Sequence, residues 1–204
     1  MSGQMIIDKP IITVTPSDSQ IPPAKPPRIH AKDIFKNIVN REEVEYLAKR
    51  SLSHEVEVVE YHLRPYSEEK IGFLGSHLCL IIVTRLPGYV ECERLSFFVK
   101  TVPYDVPSQA AYVEEKGCFR KESDFFRILV PLMLEDGCKD ESWTPDCYLA
   151  KLNVLVFEDM KYKGFANRSR MFDERTMKSA VECIARFHAC SLVLEEKLNG
   201  IIHR

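Results

Sequence analysis

At 204 residues the chain is long enough for one sizeable domain, or two small ones, with an ample core. Its 45% hydrophobic and 28% charged residues are those of an ordinary globular protein, and no apolar run is long enough to span a bilayer. A formal net charge of −2 gives no basis for a nucleic-acid or anionic-membrane surface, so neither partner is expected.

Residues 1–28 carry Pro10, Pro16, Pro22, Pro23, Pro26 and Pro27, and read as a flexible or polyproline-like tail that cannot offset its ordering entropy by burial. The first ten residues have neither a basic stretch nor a continuous apolar one, so secretion is not expected and a cytoplasmic location is. From Asp33 a helical period begins on Ile34, Phe35, Ile38 and Val39, and Val44, Leu47 and Ala48 continue it. A β-type stretch, Val56 to Arg64, follows and ends at Pro65. A loop bearing Gly72 and Gly75 leads into a second strand over Leu78–Thr84. Pro87-Gly88 turns the chain toward a third, Leu95–Thr101. Three strands joined by short turns predict an antiparallel meander.

The next helix is expected over Ser108–Glu135, followed by strands near Tyr148-Leu149 and over Val154–Phe157. A polar linker runs to Arg170, and Asp173 is a suitable N-cap for a last helix. On that helix Met177, Val181, Ile184, His188 and Leu192 form an amphipathic stripe. The seven cysteines are odd in number and contain no C-x-x-C pair. They predict reduced thiols, with neither a disulfide framework nor a zinc site.

Four places could carry chemistry. Lys100 ends an apolar strand, and Glu122 lies three, four or seven residues from Cys118, Phe119, Phe125, Phe126 and Leu129. A carboxylate within an apolar stripe needs a partner, and Lys100 is the natural one. The pair reads either as a structural ion pair or as an ammonium fixed to meet phosphates, and spacing leaves both open. Gly72, Gly75 and Ser76 fit a loop whose backbone N–H groups approach phosphate oxygens, or a plain hairpin turn; they match no Walker motif. Glu158 and Met160, where a strand leaves the sheet, could offer backbone groups to a base edge, or simply end a strand in solvent. His188, on an apolar stripe with no second histidine adjacent, reads as a satisfied core histidine and not as a base or metal ligand.

These segments occur together as Phe97-Phe98-Val99-Lys100, Phe119-Arg120-Lys121-Glu122 with Phe125-Phe126, and Trp143-Thr144-Pro145-Asp146-Cys147-Tyr148. They continue as Leu155-Val156-Phe157-Glu158-Asp159-Met160, Gly164-Phe165 and Ala185-Arg186-Phe187-His188-Ala189-Cys190-Ser191. The series resembles the ecdysteroid kinase-like family, related to choline and aminoglycoside kinases, over about residues 30 to 195. The resemblance implies an α+β, protein-kinase-like fold and ATP-dependent phosphorylation of a hydroxyl on a small molecule, ecdysteroids being one class. By position Lys100 would hold the α/β-phosphates, Glu122 would orient it, and Gly72, Gly75 and Ser76 would cover the phosphates. Phe98 would stack on the base or pack aside, and Glu158 and Met160 would bind adenine through their backbones. ATP and Mg²⁺ are the implied cofactors.

The expected organisation is a tail over 1–28, a kinase-like N-terminal lobe over 29–157, and a hinge with the start of a helical lobe over 158–204. The lobe would be a five-stranded antiparallel sheet packed against the Ser108–Glu135 helix. The family's His-Gly-Asp loop and metal-binding Asp do not occur before Arg204, so no catalytic or metal-binding residue is expected in this chain. On that ground it is expected to be inactive alone, with a small hydroxylated substrate bound only in a longer form. Two alternatives stand beside this reading. One is a catalytically dead nucleotide-binding or interaction module. The other is a structural α+β domain in which Lys100 and Glu122 are merely buried electrostatics.

Overall fold

The computed structural model describes residues 38–68, 72, 74–135, 143–166 and 171–202. The proline-rich tail and residues 33–37 of the first helical period lie outside them. Within the described residues the first helix is α1 (Arg41–Leu52). A capping box sets its start. The Asn40 side chain accepts from the Glu43 N–H at 2.9 Å, and the Glu43 carboxylate accepts from the Asn40 N–H at 2.9 Å. Two of the helix's orphan donors are satisfied in this way. Ile38 and Val39, read as helical, are buried in the turn that precedes the cap.

Strands β1 (Glu57–Pro65), β2 (Ser76–Arg85) and β3 (Cys92–Thr101) form the expected meander. β4 (Cys147–Ala150) and β5 (Val154–Glu158) complete a five-stranded antiparallel sheet in the order β1-β2-β3-β5-β4. Strand alternation gives the sheet two different faces. On one, Leu78, Leu80, Ile82, Leu95, Phe97, Val99, Val154 and Val156 are buried together with Val44, Leu47 and Ala48 of α1. Burying each large apolar side chain is worth roughly 1.5–3 kcal/mol, so this layer is the main source of the fold's stability. α1, rather than the 108–135 region, is therefore the helix that covers this face. Arg41 donates to the Val58 carbonyl at 2.8 Å, Arg50 to the Tyr148 carbonyl at 2.6 Å, and Lys151 to the Ile38 carbonyl at 2.8 Å. These bonds pin both ends of α1 to the sheet. The opposite face presents Phe98 and Lys100 and is left for the site.

The single helix expected over 108–135 is broken. α2 (Pro107–Glu115) ends before Gly117, and α3 (Cys118–Asp124) begins after it. Gly117 has φ +61°, a left-handed conformation that reverses the helix path at little strain because it has no Cβ. A Cβ there would meet nothing nearer than Arg120 at 3.8 Å, so backbone strain alone opposes substitution. Gly117→Ala is expected to destabilise the fold by about 1–2 kcal/mol, read as a lower urea midpoint at unchanged slope. α3 runs on through a π-helical turn, Phe125–Leu129, closed by the Val130 N–H on the Phe125 carbonyl, into α4 (Val130–Glu135). The wider turn lets adjacent aromatics diverge. Phe125 reaches Phe187 of the last helix, 6.2 Å between centroids, and Phe126 reaches Phe157 of β5, 4.7 Å.

α5 (Glu174–Ile202) starts where expected, with the Asp173 carboxylate accepting from the Thr176 N–H at 2.7 Å. Its inward face differs from expectation. Cys190 and Leu194 are buried against Met133, with Phe187 packed beside them, while Met177, Val181, Ile184, His188 and Leu192 face outward. His188 is thus an exposed histidine and not a core one. Cys190 is disulfide-bonded, which corrects the expectation of thiols throughout; Cys79, Cys92, Cys118, Cys147 and Cys183 are free.

Candidate functional site

Lys100 sits one residue before the end of β3, on the face turned away from α1, with His77 of β2 and Leu155 of β5 as its neighbours across the ladder. Its ammonium donates to both oxygens of Glu122 on α3, at 2.6 and 2.7 Å. The two side chains keep 26% and 31% exposure, so the ammonium is held at one place and still open to a ligand. Its position is constrained from two further sides. The Phe119 ring lies 5.7 Å away, in cation–π range. A Cβ added to Gly75 would come within 3.2 Å of the Lys100 Cε, so the loop backbone rests directly on the lysine stem. A side chain there would require the lysine stem to give by a few tenths of an ångström.

The other predicted residues fall around this pair. Gly72 adopts φ +81°, in the left-handed region. The Ser76 hydroxyl donates to Asp105 at 2.8 Å, so this side chain secures the loop's end. Phe98 lies two residues from Lys100 on the same face, about 7 Å along the strand. It packs edge-on against Tyr66 with centroids 4.8 Å apart, beside His77 at 5.2 Å and Phe157 at 6.4 Å. β5 ends at Glu158, across the ladder from Phe97, and the chain then turns through Asp159–Gly164. The Glu158 N–H donates to the Asp146 carbonyl at 3.0 Å, and its carboxylate accepts from the Asp146 N–H at 3.1 Å and pairs with Lys163. The Met160 carbonyl accepts from the Phe165 N–H at 2.9 Å and closes the turn.

Asp159 carries a role that sequence reasoning missed. Read as a solvated strand end, it is buried, at 7% exposure. Its Oδ1 accepts from the Tyr66 hydroxyl at 2.8 Å and from the Lys161 N–H at 3.1 Å, while Oδ2 accepts from the Ser96 hydroxyl at 2.6 Å. Burial pushes its acidity down, but the donors from Ser96, Tyr66, Tyr162 and Lys161 outweigh it and hold the carboxyl below its ordinary value. Burial, and then the bond to Asp159, raise the Tyr66 hydroxyl well above the usual phenol range, so it remains a donor. Asp159 is thus committed to this network, as Asp173 is to the cap of α5.

A cavity of about 700 Å³ opens between α1, the π-helical turn and β4, lined by Tyr46, Arg50, Phe126, Leu134 and Tyr148 among others. It contains neither Lys100 nor Glu122, so the site is assigned by the converging charges and not by cavity size. Among the described residues no group of three His, Cys, Asp or Glu side chains could hold a metal ion, and no helix is long and apolar enough to cross a membrane.

No curated protein and no solved structure matches the chain. A family model does, that of the ecdysteroid kinase-like family, over residues 83–204. The matched span includes Lys100, Glu122, the Asp159 turn and α5; Gly72, Gly75 and Ser76 precede it. With more than half of its length matched, the chain belongs to the ecdysteroid kinase-like family.

Proposed function

We propose that the face bearing Phe98 and Lys100 binds ATP, and that the chain provides the nucleotide-binding part of a phosphotransferase acting on a hydroxyl of a small molecule. The observation that carries this reading is the Lys100 ammonium, held by both Glu122 oxygens and pressed beneath Gly75. An ammonium fixed in place, open on one side and next to loop backbone is suited to phosphate oxygens. The base lies toward Phe98, and the Glu158 carbonyl and Met160 N–H are the backbone groups assigned to its edge. Those choices are consistent with the bonds already made by the Glu158 N–H and the Met160 carbonyl. Mg²⁺ accompanies the nucleotide and neutralises phosphate charge. In this reading residues 29–157 are the N-terminal lobe, and 158–204 are the hinge and the start of the helical lobe.

Thermal unfolding with and without ATP and Mg²⁺ tests the proposal. Saturation at a hundred times Kd adds about 2.7 kcal/mol to the folded state, which for a chain of this size is a rise of several degrees. A folded wild-type chain whose midpoint does not respond to millimolar nucleotide would rule the reading out.

A further inference from the structure

Tyr66 and Asp159 are 93 residues apart in sequence, yet their side chains join the two segments between which a base would lie. Tyr66 follows the last residue of β1 and opens the loop that carries Gly72 and Gly75. Its N–H donates to the His77 carbonyl at 3.1 Å, so the stem of that loop is closed by backbone at the same residue. Asp159 lies between Glu158 and Met160, the two residues whose backbones are assigned to the base. Its carboxylate also organises the turn that follows, through the Lys161 and Tyr162 N–H groups, and ties that turn to β3 through Ser96. A second tie runs from the Tyr162 hydroxyl to the Arg94 carbonyl at 3.1 Å. The Tyr66 ring is itself held on both sides. Phe98 meets it edge-on, and the Lys161 ammonium lies 4.5 Å from its centroid.

We propose that Tyr66 and Asp159 form a clamp that fixes the stem of the glycine-bearing loop against the hinge, and so sets the opening through which the base is recognised. The inference rests on the nucleotide reading above. Neither side chain is assigned a contact with the nucleotide; both act as positioning residues. Three donors besides Tyr66 hold Asp159 in its turn, whereas the Tyr66 hydroxyl makes the hydrogen bond that spans to the loop, beside the Lys161 ammonium on its ring. Deleting that hydroxyl therefore loosens the loop side of the opening and leaves the Asp159 side in place. Lys100 is held independently by Glu122, so the phosphate end keeps its geometry.

Tyr66→Phe removes the hydroxyl and retains the ring. Calorimetric titration of wild type and variant, with ATP and separately with tripolyphosphate, both with Mg²⁺, separates the base end from the phosphate end. The expected result is a five- to tenfold weaker affinity for ATP and an unchanged affinity for tripolyphosphate. Ser96→Ala, which loosens Asp159 without touching the loop, is expected to change the ratio of the two affinities by less than Tyr66→Phe does. The clamp is overturned if Tyr66→Phe binds ATP like wild type, if both ligands weaken in equal proportion, or if Ser96→Ala matches its effect. A wild-type chain that binds neither ligand overturns the nucleotide reading, and the clamp's role with it. Wild-type binding with no change in the variant overturns the clamp alone.

Discussion

Lys100→Met is expected to weaken ATP binding by roughly a hundredfold while leaving the stability of the folded chain within about 1 kcal/mol of wild type. The two halves of this expectation come from different parts of the side chain. Methionine preserves the unbranched stem that lies beneath Gly75 and beside Phe119, so packing is largely kept. Only the ammonium is lost. Its pairing with Glu122 is partly solvent-exposed on both sides, and such pairs contribute roughly 0–1 kcal/mol to stability. Toward a ligand the same charge counts for more. Charge-assisted hydrogen bonds are worth about 1.5–3 kcal/mol each, and losing the equivalent of one or two, at 1.4 kcal/mol per decade, gives about a hundredfold.

The comparison that decides between phosphate binding and plain structure is thus affinity against stability in one variant. If Lys100→Met loses several kcal/mol of stability and no affinity, the pair is a structural ion pair. Titration calorimetry and urea unfolding on the same preparation give both numbers. Glu122→Gln should behave as a weaker version, because Lys100 keeps its charge and loses only one of the two oxygens that orient it.

The ion pair itself was legible in the sequence because both of its signals are local. Strand alternation puts Phe98 and Lys100 on one face, and the apolar residues flanking Glu122 demand a partner for it. What was not legible is long-range or phase-dependent. Gly117 stands in a sequence that otherwise reads as helix, and a helix tolerates one glycine for about 1 kcal/mol, so its left-handed conformation could not be told from a weak helical residue. On α5 two apolar stripes coexist, one through Met177, Val181, Ile184 and Leu192, the other through Phe187, Cys190 and Leu194. Periodicity detects both; contact with Met133 and Trp143 selects the second. Asp159 is the clearest case. Its partners Tyr66 and Ser96 lie 93 and 63 residues away, and nothing in the flanking sequence points to them.

Those three differences affect the site unequally. The break at Gly117 gives Glu122 a short helix of its own, Cys118–Asp124, and the π-helical turn that follows carries Phe126 onto Phe157, one residue before Glu158. The helix that carries Glu122 and the strand that leads into the Asp159 turn are thereby joined through one aromatic contact. The outward stripe of α5 has no such connection. Its residues take no part in holding Lys100, Phe98 or the Asp159 turn.

Asp159→Ala is expected to be the most damaging single change in the site, destabilising the fold by about 2–3 kcal/mol at neutral pH. Removing the carboxylate leaves the Tyr66 and Ser96 hydroxyls and the Lys161 and Tyr162 N–H groups without their acceptor in a partly buried place, and the loss for the two less exposed hydroxyls is worth about 1–3 kcal/mol each before relaxation. Asp159→Asn tests the charge separately. The folded-state carboxyl is held below its ordinary value, near 3.9 in an unfolded chain, so its contribution is present above that value and is lost as pH falls through the folded-state one. The gap in urea midpoint between wild type and Asp159→Asn should therefore be widest at pH 6 and narrow toward pH 3. A gap that stays constant from pH 6 to pH 3 would mean that the Asp159 charge plays no part in holding the turn.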